Sequence, residues 1–248
     1  MEKANLTKTQ IRLRTIIAFS VFGLFMVGCV IIAYGIGNAP LKDSAPAPVR
    51  KAFEMNEQLF SGSVKKNHLA KVYPVSEAVK KVRVNGMYGL KDSVALSDWK
   101  MTVIRLNGDT LLVTLDDLKK LQKTDIVFDF KCIEGWSQVT HWAGVRFSDF
   151  IEAFHLEADA AAAYIGLVTP DTKYYVGIDM PSAIHPQTIL CYEMNGKALP
   201  QDQGYPLRLI IPVKYGIKHL KRIGTLTFTD KRPADYWAER GYDYFSGL

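Results

Sequence analysis

The stretch FKCIEGWS, residues 130–137, sets a thiol two residues before a carboxylate and three before a glycine. The run leading into it, DIVFDFKC, alternates. Ile126, Phe128, Phe130 and Cys132 share one face of an extended segment, and Val127, Asp129 and Lys131 the other. Cys132 therefore points where the apolar side chains point. With the backbone extended for two further residues, Glu134 projects to the same side and Gly135 lets the chain turn away. Thiol and carboxylate would then share one pocket. These residues alone leave a blander option open, a small buried hydrophobe beside a rim charge.

A second stretch, GYPLRLIIPVKYGIKHLKR, carries Arg208, Lys214, Lys218, His219, Lys221 and Arg222 within 15 residues, bracketed by Pro206, Pro212 and Gly216. Alternation puts Arg208 opposite Leu207 and Leu209, at a pocket edge or in solvent. Guanidinium and ammonium groups gathered on turns suit a phosphate, and a solvated basic loop fits them equally well. RVNGMYG, residues 83–89, sets Arg83 and Asn85 among glycines that let backbone approach a ligand, and it also reads as a simple turn. His185-Pro186 imposes an extended or turn geometry and Asn195-Gly196 a hairpin. A lone histidine there reads as structural.

The elements that must position these groups mix without a βαβ rhythm. MTVIRLNGDTLLVTL predicts two short strands around Asn107-Gly108, and Thr114 with Asp117 predicts the cap of a helix that turns Leu115, Leu118 and Leu121 inward. A helix with Phe147, Phe150, Ile151 and Phe154 on one face follows the Cys132 strand, then strands in AYIGLVTP, KYYVGI, TILCYEM, LRLII and TLTFT. The pattern predicts an α+β, mixed-sheet domain. There is no internal repeat, no GxGxxG and no GxxxxGK[ST], which argues against those nucleotide-binding folds.

At 248 residues, 48% hydrophobic and 23% charged, the composition is globular. Residues 15–36 form an uncharged apolar run of roughly 33 Å at about 1.5 Å per residue, long enough to span a bilayer. Apolar residues continue past Cys29, so the run reads as a retained anchor more than as a cleaved leader. Lys3, Lys8, Arg12 and Arg14 outweigh the dilute Lys42, Arg50 and Lys51, which orients the N-terminus toward the cytoplasm and the body outside it. The expected organisation is a cytoplasmic N-terminus (1–14), a transmembrane anchor (15–37), a linker and amphipathic helical segment (38–82) and the main domain (83–248). The charge of +6 is spread without a basic run, so no nucleic-acid partner is indicated. Of three cysteines only Cys132 and Cys191 lie in the body, with no CxxC or CxxCH, and a disulfide between them stays open.

From about residue 83 onward these stretches, in order, resemble the sulfite oxidase superfamily of molybdopterin enzymes. The likeness is carried by C-x-E-x-W-S (Cys132, Glu134, Trp136, Ser137), W-x-G-V (Trp142, Gly144, Val145), S-A-x-H-P, M-N-G-x-x-L-P, G-x-P-L-R-L-x-x-P-x-x-Y-G-x-K-x-x-K and a final Y-W-x-x-x-G-Y at 236–242. The resemblance implies a molybdenum-molybdopterin cofactor, with Cys132 as the thiolate ligand to the metal. It implies cofactor binding by Arg83, Asn85, His185, Arg208, Lys218 and Lys221, the last three at the pterin phosphate and His185 along the pterin.

Within the superfamily C-x-E-x-W-S is most similar to the bacterial periplasmic enzymes that reduce methionine sulfoxide, which implies Glu134 and Asn85 as the catalytic pair beside the metal. Sulfite oxidases carry arginines shortly after the cysteine and a histidine before G-x-P-x-R, where this chain has Ser137, Gln138 and Gln203. The terminal Y-W-x-x-x-G-Y departs toward the sulfite oxidase end. The expectation is an inner-membrane, single-pass oxidoreductase on the periplasmic side. It would take an oxygen atom from methionine sulfoxide or another small S- or N-oxide and draw electrons from a membrane partner. The rivals are a sulfite-oxidase-like dehydrogenase and a non-catalytic molybdopterin-binding module.

Overall fold

The structure, a computed structural model, describes residues 7–60, 68–90 and 99–248. Lys3, among the flanking cations, and residues 61–67 of the expected helical segment lie outside the described residues. Two units are present, Met1–Ala52 and Phe53–Leu248.

In the first, the apolar run forms α1, Lys8–Gly37. A capping box starts it: Thr7 Oγ1 accepts from the Gln10 N–H at 3.3 Å, and Gln10 Oε1 accepts from the Thr7 N–H at 3.0 Å. Asn38 ends it by donating from Nδ2 to the Tyr34 carbonyl at 2.8 Å. The helix has 30 residues with a mean hydropathy of 2.7 over its apolar window, long and apolar enough to cross a membrane. A small hairpin, β1 (Leu41–Lys42) and β2 (Ala45–Pro46), follows.

The helix α2, Ala47–Phe60, is shorter than the helical stretch expected up to residue 82. Residues 68–82 are mainly extended, with a single 3-10 turn at Val75–Glu77. Pro74 lacks the N–H a helix needs and holds Tyr73 away from helical angles. The segment instead runs along a sheet, where the Tyr73 N–H donates to the Val127 carbonyl at 2.9 Å and the Val79 N–H to Val139 at 3.0 Å.

The second unit holds two sheets. Strands β3 (Met101–Ile104) and β4 (Thr110–Val113) pair about the Asn107-Gly108 turn, and α3 (Leu115–Lys119) follows with Thr114 and Asp117 closing a capping box. Next come the long hairpin β5 (Lys123–Lys131) and β6 (Ser137–Arg146), α4 (Phe147–Ala153), β7 (Tyr164–Val168), β8 (Tyr175–Asp179) and α5 (Met180–Ala183). The remaining strands are β9 (Ile189–Met194), β10 (Lys197–Ala198), β11 (Arg208–Ile210) and β12 (Thr225–Thr229). One sheet is ordered β10-β9-β6-β5 with β11 also on β9; the other is β4-β3-β12-β7-β8. The β12–β3 pair is parallel and its neighbours antiparallel, so the sheet is mixed, as the sequence predicts.

The first sheet buries both faces. Val145, Leu190 and Leu209 enter the main core with α3, α4 and the second sheet. Ile126, Phe128, Trp142, Ile189, Cys191 and Ile210 form a second cluster on the opposite face. Because side chains alternate, Arg208 shares the face of Ile210, and its partner across the ladder is Cys191. This second face leads to the site.

Candidate active site

A cavity of about 280 Å³ opens at the end of the β5–β6 hairpin, and Cys132 forms part of its wall. The backbone does not stay extended past the thiol. The Gly135 N–H donates to the Cys132 carbonyl at 3.0 Å and the Cys132 N–H to the Trp136 carbonyl at 2.9 Å, closing a tight turn. Gly135 has φ of +87°, in the left-handed region that glycine enters without strain. Glu134 thus reaches the cavity through the turn, and its side chain lies at the solvent edge. Cys132 is buried, 6% exposed. Both it and Cys191 are free thiols, so no disulfide joins them.

The 83–89 loop closes over this turn. Asn85 Nδ2 lies 3.6 Å from Cys132 Sγ, and the same side chain hydrogen-bonds the Glu134 carboxylate. Trp136 Nε1 donates to Glu134 Oε2 at 3.2 Å. The Asn85 amide first, and then the Trp136 indole, hold the Glu134 carboxyl below its ordinary value. Arg83 lies with its guanidinium 4.7 Å over the Trp136 ring and its N–H on Gln138 Oε1 at 2.9 Å.

Beneath them lie buried cations. Arg208, 2% exposed, stacks 4.6 Å over Trp142. Its Nη1 donates to the Gln203 carbonyl and Oε1, both at 3.1 Å, its Nη2 to the His219 carbonyl at 3.4 Å, and its buried Nε has no partner among the described residues. Burial pulls its pKa down to about 10. Lys221 Nζ donates to the carbonyls of Asn85 at 2.7 Å, Asp202 at 2.9 Å and Gly86 at 3.2 Å. Burial, with Arg208 adding to it, brings Lys221 down to about 7. His219 stands edge-on to Phe130 at 4.7 Å. It donates from Nε2 to the Lys214 carbonyl at 3.1 Å, which leaves buried Nδ1 without a partner among the described residues. Burial, then Arg208, pushes it down to about 3.

Cys132, Glu134, Asn85, Arg83, Arg208 and Lys221 therefore meet at one cavity, and two expected residues do not. Lys218 turns away. Its ammonium binds Asp235 and, at 3.1 Å, the Gly177 carbonyl, and it sits 4.2 Å over the Tyr244 ring. The 3-10 turn Gly216–Lys218 causes this, since it places Ile217 and His219 on the cavity and Lys218 on the far side. His185, 2% exposed, donates from Nε2 to the His68 carbonyl at 3.0 Å and accepts the Gln187 N–H at Nδ1, outside the cavity. Sequence reasoning missed His219, Gln203 and the aromatic residues of the mouth, Tyr88, Tyr174, Trp237 and Tyr242, as lining residues. The period-2 set Gln138, Thr140 and Trp142 on β6 was a readable signal for one wall.

Buried Arg208 and half-buried Lys221, neither with an ion pair among the described residues, two orphaned nitrogens and a lone thiol on the wall fit a ligand that brings anionic groups and soft chemistry. Among the described residues no three His, Cys, Asp or Glu side chains gather to hold a bare ion. Fold and cavity thus define a pocket for an anionic ligand with one free thiol on its wall. Residues 88–237 match the oxidoreductase molybdopterin binding domain, and the chain belongs to that family. It is an oxidoreductase that binds a molybdopterin cofactor, as its likeness to the sulfite oxidase superfamily implied.

The chain is 37% identical over 183 residues to the putative protein-methionine-sulfoxide reductase subunit YedZ1 of Azospira oryzae, covering 73% of this chain and 69% of that one. Against the protein-methionine-sulfoxide reductase catalytic subunit MsrP of Ralstonia nicotianae, identity is 32% over 168 residues, 60% of this chain and 50% of the relative. The chain thus spans about half the length of that relative. The crystal structure of the sulfane dehydrogenase SoxCD from Paracoccus pantotrophus shares the fold, with a TM-score of 0.51 at 18% identity over 57% of this chain and 40% of that one.

Proposed function

We propose that this chain reduces organic S-oxides, methionine sulfoxide foremost, as a catalytic subunit held by α1 in the inner membrane with its body on the periplasmic side. The overall reaction consumes two electrons and two protons, turning the sulfoxide into a thioether and water. A membrane redox partner supplies the electrons. The observation that carries the reading is the Asn85 amide bridging the Cys132 thiol and the Glu134 carboxylate at the cavity wall. The names of the relatives support the sulfoxide as substrate.

Cys132 would hold the molybdenum of the cofactor, and Arg208 the pterin's anionic end, its unpartnered Nε being free to donate. When bound, the cofactor supplies a two-electron centre able to accept the substrate oxygen. Glu134 is fixed by Asn85 and Trp136 and open to solvent, a geometry suited to passing protons toward that oxygen as the S–O bond breaks. Lys221 spends its three donors on backbone carbonyls and so holds the Asn85 loop in place.

The test is molybdenum analysis of cofactor-loaded protein, followed by turnover with methionine sulfoxide and a reduced dye as donor. Wild type should carry molybdenum and reduce the sulfoxide. Cys132→Ser should abolish turnover and lower molybdenum retention while keeping its circular dichroism. Sulfite oxidation in place of sulfoxide reduction, or full turnover with an unchanged metal content in Cys132→Ser, would overturn the reading.

A further inference from the structure

The cavity wall that carries Cys132, Asn85, Glu134 and Arg208 is joined by rings from three separate segments, Tyr88 from the 83–89 loop, Tyr174 just before β8, and Trp237 and Tyr242 from the C-terminal Y-W-x-x-x-G-Y. We propose that Tyr88, Trp237 and Tyr242 form the specificity surface of the site. They would receive the apolar substituents of a neutral organic S-oxide while its oxygen points inward. The inference rests on the reductase reading above and deepens it by assigning the part of the substrate that the polar residues do not touch.

The rings are held as a unit. Trp237 and Tyr242 meet at 5.1 Å, nearly perpendicular, and the Tyr242 N–H donates to the Trp237 carbonyl at 3.1 Å across the 3-10 turn Ala238–Arg240. Tyr236 links them to Tyr88, at 5.3 Å from Trp237 and 5.0 Å from Tyr88. Asp235 anchors the turn, its Oδ1 accepting the Ala238 N–H at 3.0 Å while its Oδ2 pairs with Lys218. The lysine expected at a phosphate is thus a positioning residue for this aromatic segment.

The rings pack on one another and still keep part of their surface in water, Tyr88 being 49% exposed and Tyr242 39%, so apolar ring area faces solvent at the cavity. Ring faces carry negative charge density and attract polarisable sulfur and the electron-poor CH groups next to a sulfoxide. The same faces disfavour a hydrated anion such as sulfite. The ring surface therefore favours neutral S-oxides, and favours them more as the substituent grows to cover a ring.

The experiment compares cofactor-loaded wild type with Trp237→Leu and Tyr242→Leu on two substrates, methyl p-tolyl sulfoxide and dimethyl sulfoxide, with pterin content measured in each preparation. Each substitution should raise KM for the aryl sulfoxide by roughly 5- to 10-fold with kcat and pterin content little changed. For dimethyl sulfoxide, too small to cover a ring, the shift should be under about twofold. Trp237→Phe should restore most of the aryl preference. If Trp237→Leu loses the pterin, Tyr242→Leu at the exposed edge supplies the same comparison. Wild-type reduction of both sulfoxides with an unchanged kcat/KM ratio in the variants would overturn this inference alone. Failure of wild type to reduce either sulfoxide would overturn the reductase reading and this inference with it.

Discussion

Arg208→Met separates the two roles a buried guanidinium can play. The side chain is 2% exposed, stacks on Trp142 and is hydrogen-bonded only to neutral oxygens of Gln203 and His219. Removing it from cofactor-free protein loses three hydrogen bonds worth about 1 kcal/mol each. It also removes an unpaired buried cation, whose desolvation penalty is several kcal/mol. The two effects offset, so cofactor-free stability in urea should change by no more than about 1 kcal/mol, with a rise as natural an outcome as a fall. Loaded protein behaves differently. A charge-assisted contact to an anion is worth about 1.5 to 3 kcal/mol, so pterin retention should weaken roughly 10- to 150-fold. The assay is pterin fluorescence after oxidative release from protein dialysed to equilibrium, beside urea melts of both forms. Equal retention, together with a loss of more than about 3 kcal/mol in the cofactor-free form, would refute the reasoning and make Arg208 a structural pin.

Glu134→Gln should lower turnover by roughly 10² to 10⁴ with unchanged pterin and molybdenum if, as proposed, this cavity-edge carboxylate passes protons to the substrate oxygen and does not hold the pterin. Since Asn85 and Trp136 hold its pKa below the ordinary 4.5, wild type should keep this group ionised at neutral pH, and the variant should lose the acid limb that its protonation imposes. A near wild-type rate with an unshifted pH profile would remove Glu134 from the chemistry. His219 makes a stability prediction. Its pKa falls from 6.5 unfolded to about 3 folded, so the unfolded chain binds the extra proton between those values. Its contribution is fully present above about pH 6.5 and is lost as pH falls toward 3, by at most about 1.4 kcal/mol per pH unit. Stability against pH, from urea melts of cofactor-free wild type and His219→Gln, should therefore run parallel above about pH 6.5 and differ in slope between about 3 and 6.5, and parallel slopes inside that window would contradict the assignment.

What the sequence determined by itself was local. Period-2 alternation put Ile126, Phe128 and Cys132 on one face, and that face is the one on which Trp142, Cys191 and Ile210 cluster. The capping box at Thr114 and Asp117 and the Asn195-Gly196 hairpin are read from adjacent residues because the atoms that satisfy them are adjacent. The apolar run became α1 for the same reason. Glu134 was placed in the right pocket by a strand argument, although the chain turns immediately after Cys132 and the turn delivers it. Only the tertiary structure separated Lys218 from Lys221. Three residues apart in one basic loop, they look alike in sequence, but one meets Asp235, 17 positions away, and the other the Asn85 carbonyl, 136 positions away. His185 likewise found the His68 carbonyl, and residues 68–82 found the β5–β6 hairpin. The aromatic mouth joins positions 88 and 236–242, which no local period connects. A side chain's direction follows from its neighbours in the chain; its partner follows from which distant segments the two sheets bring together.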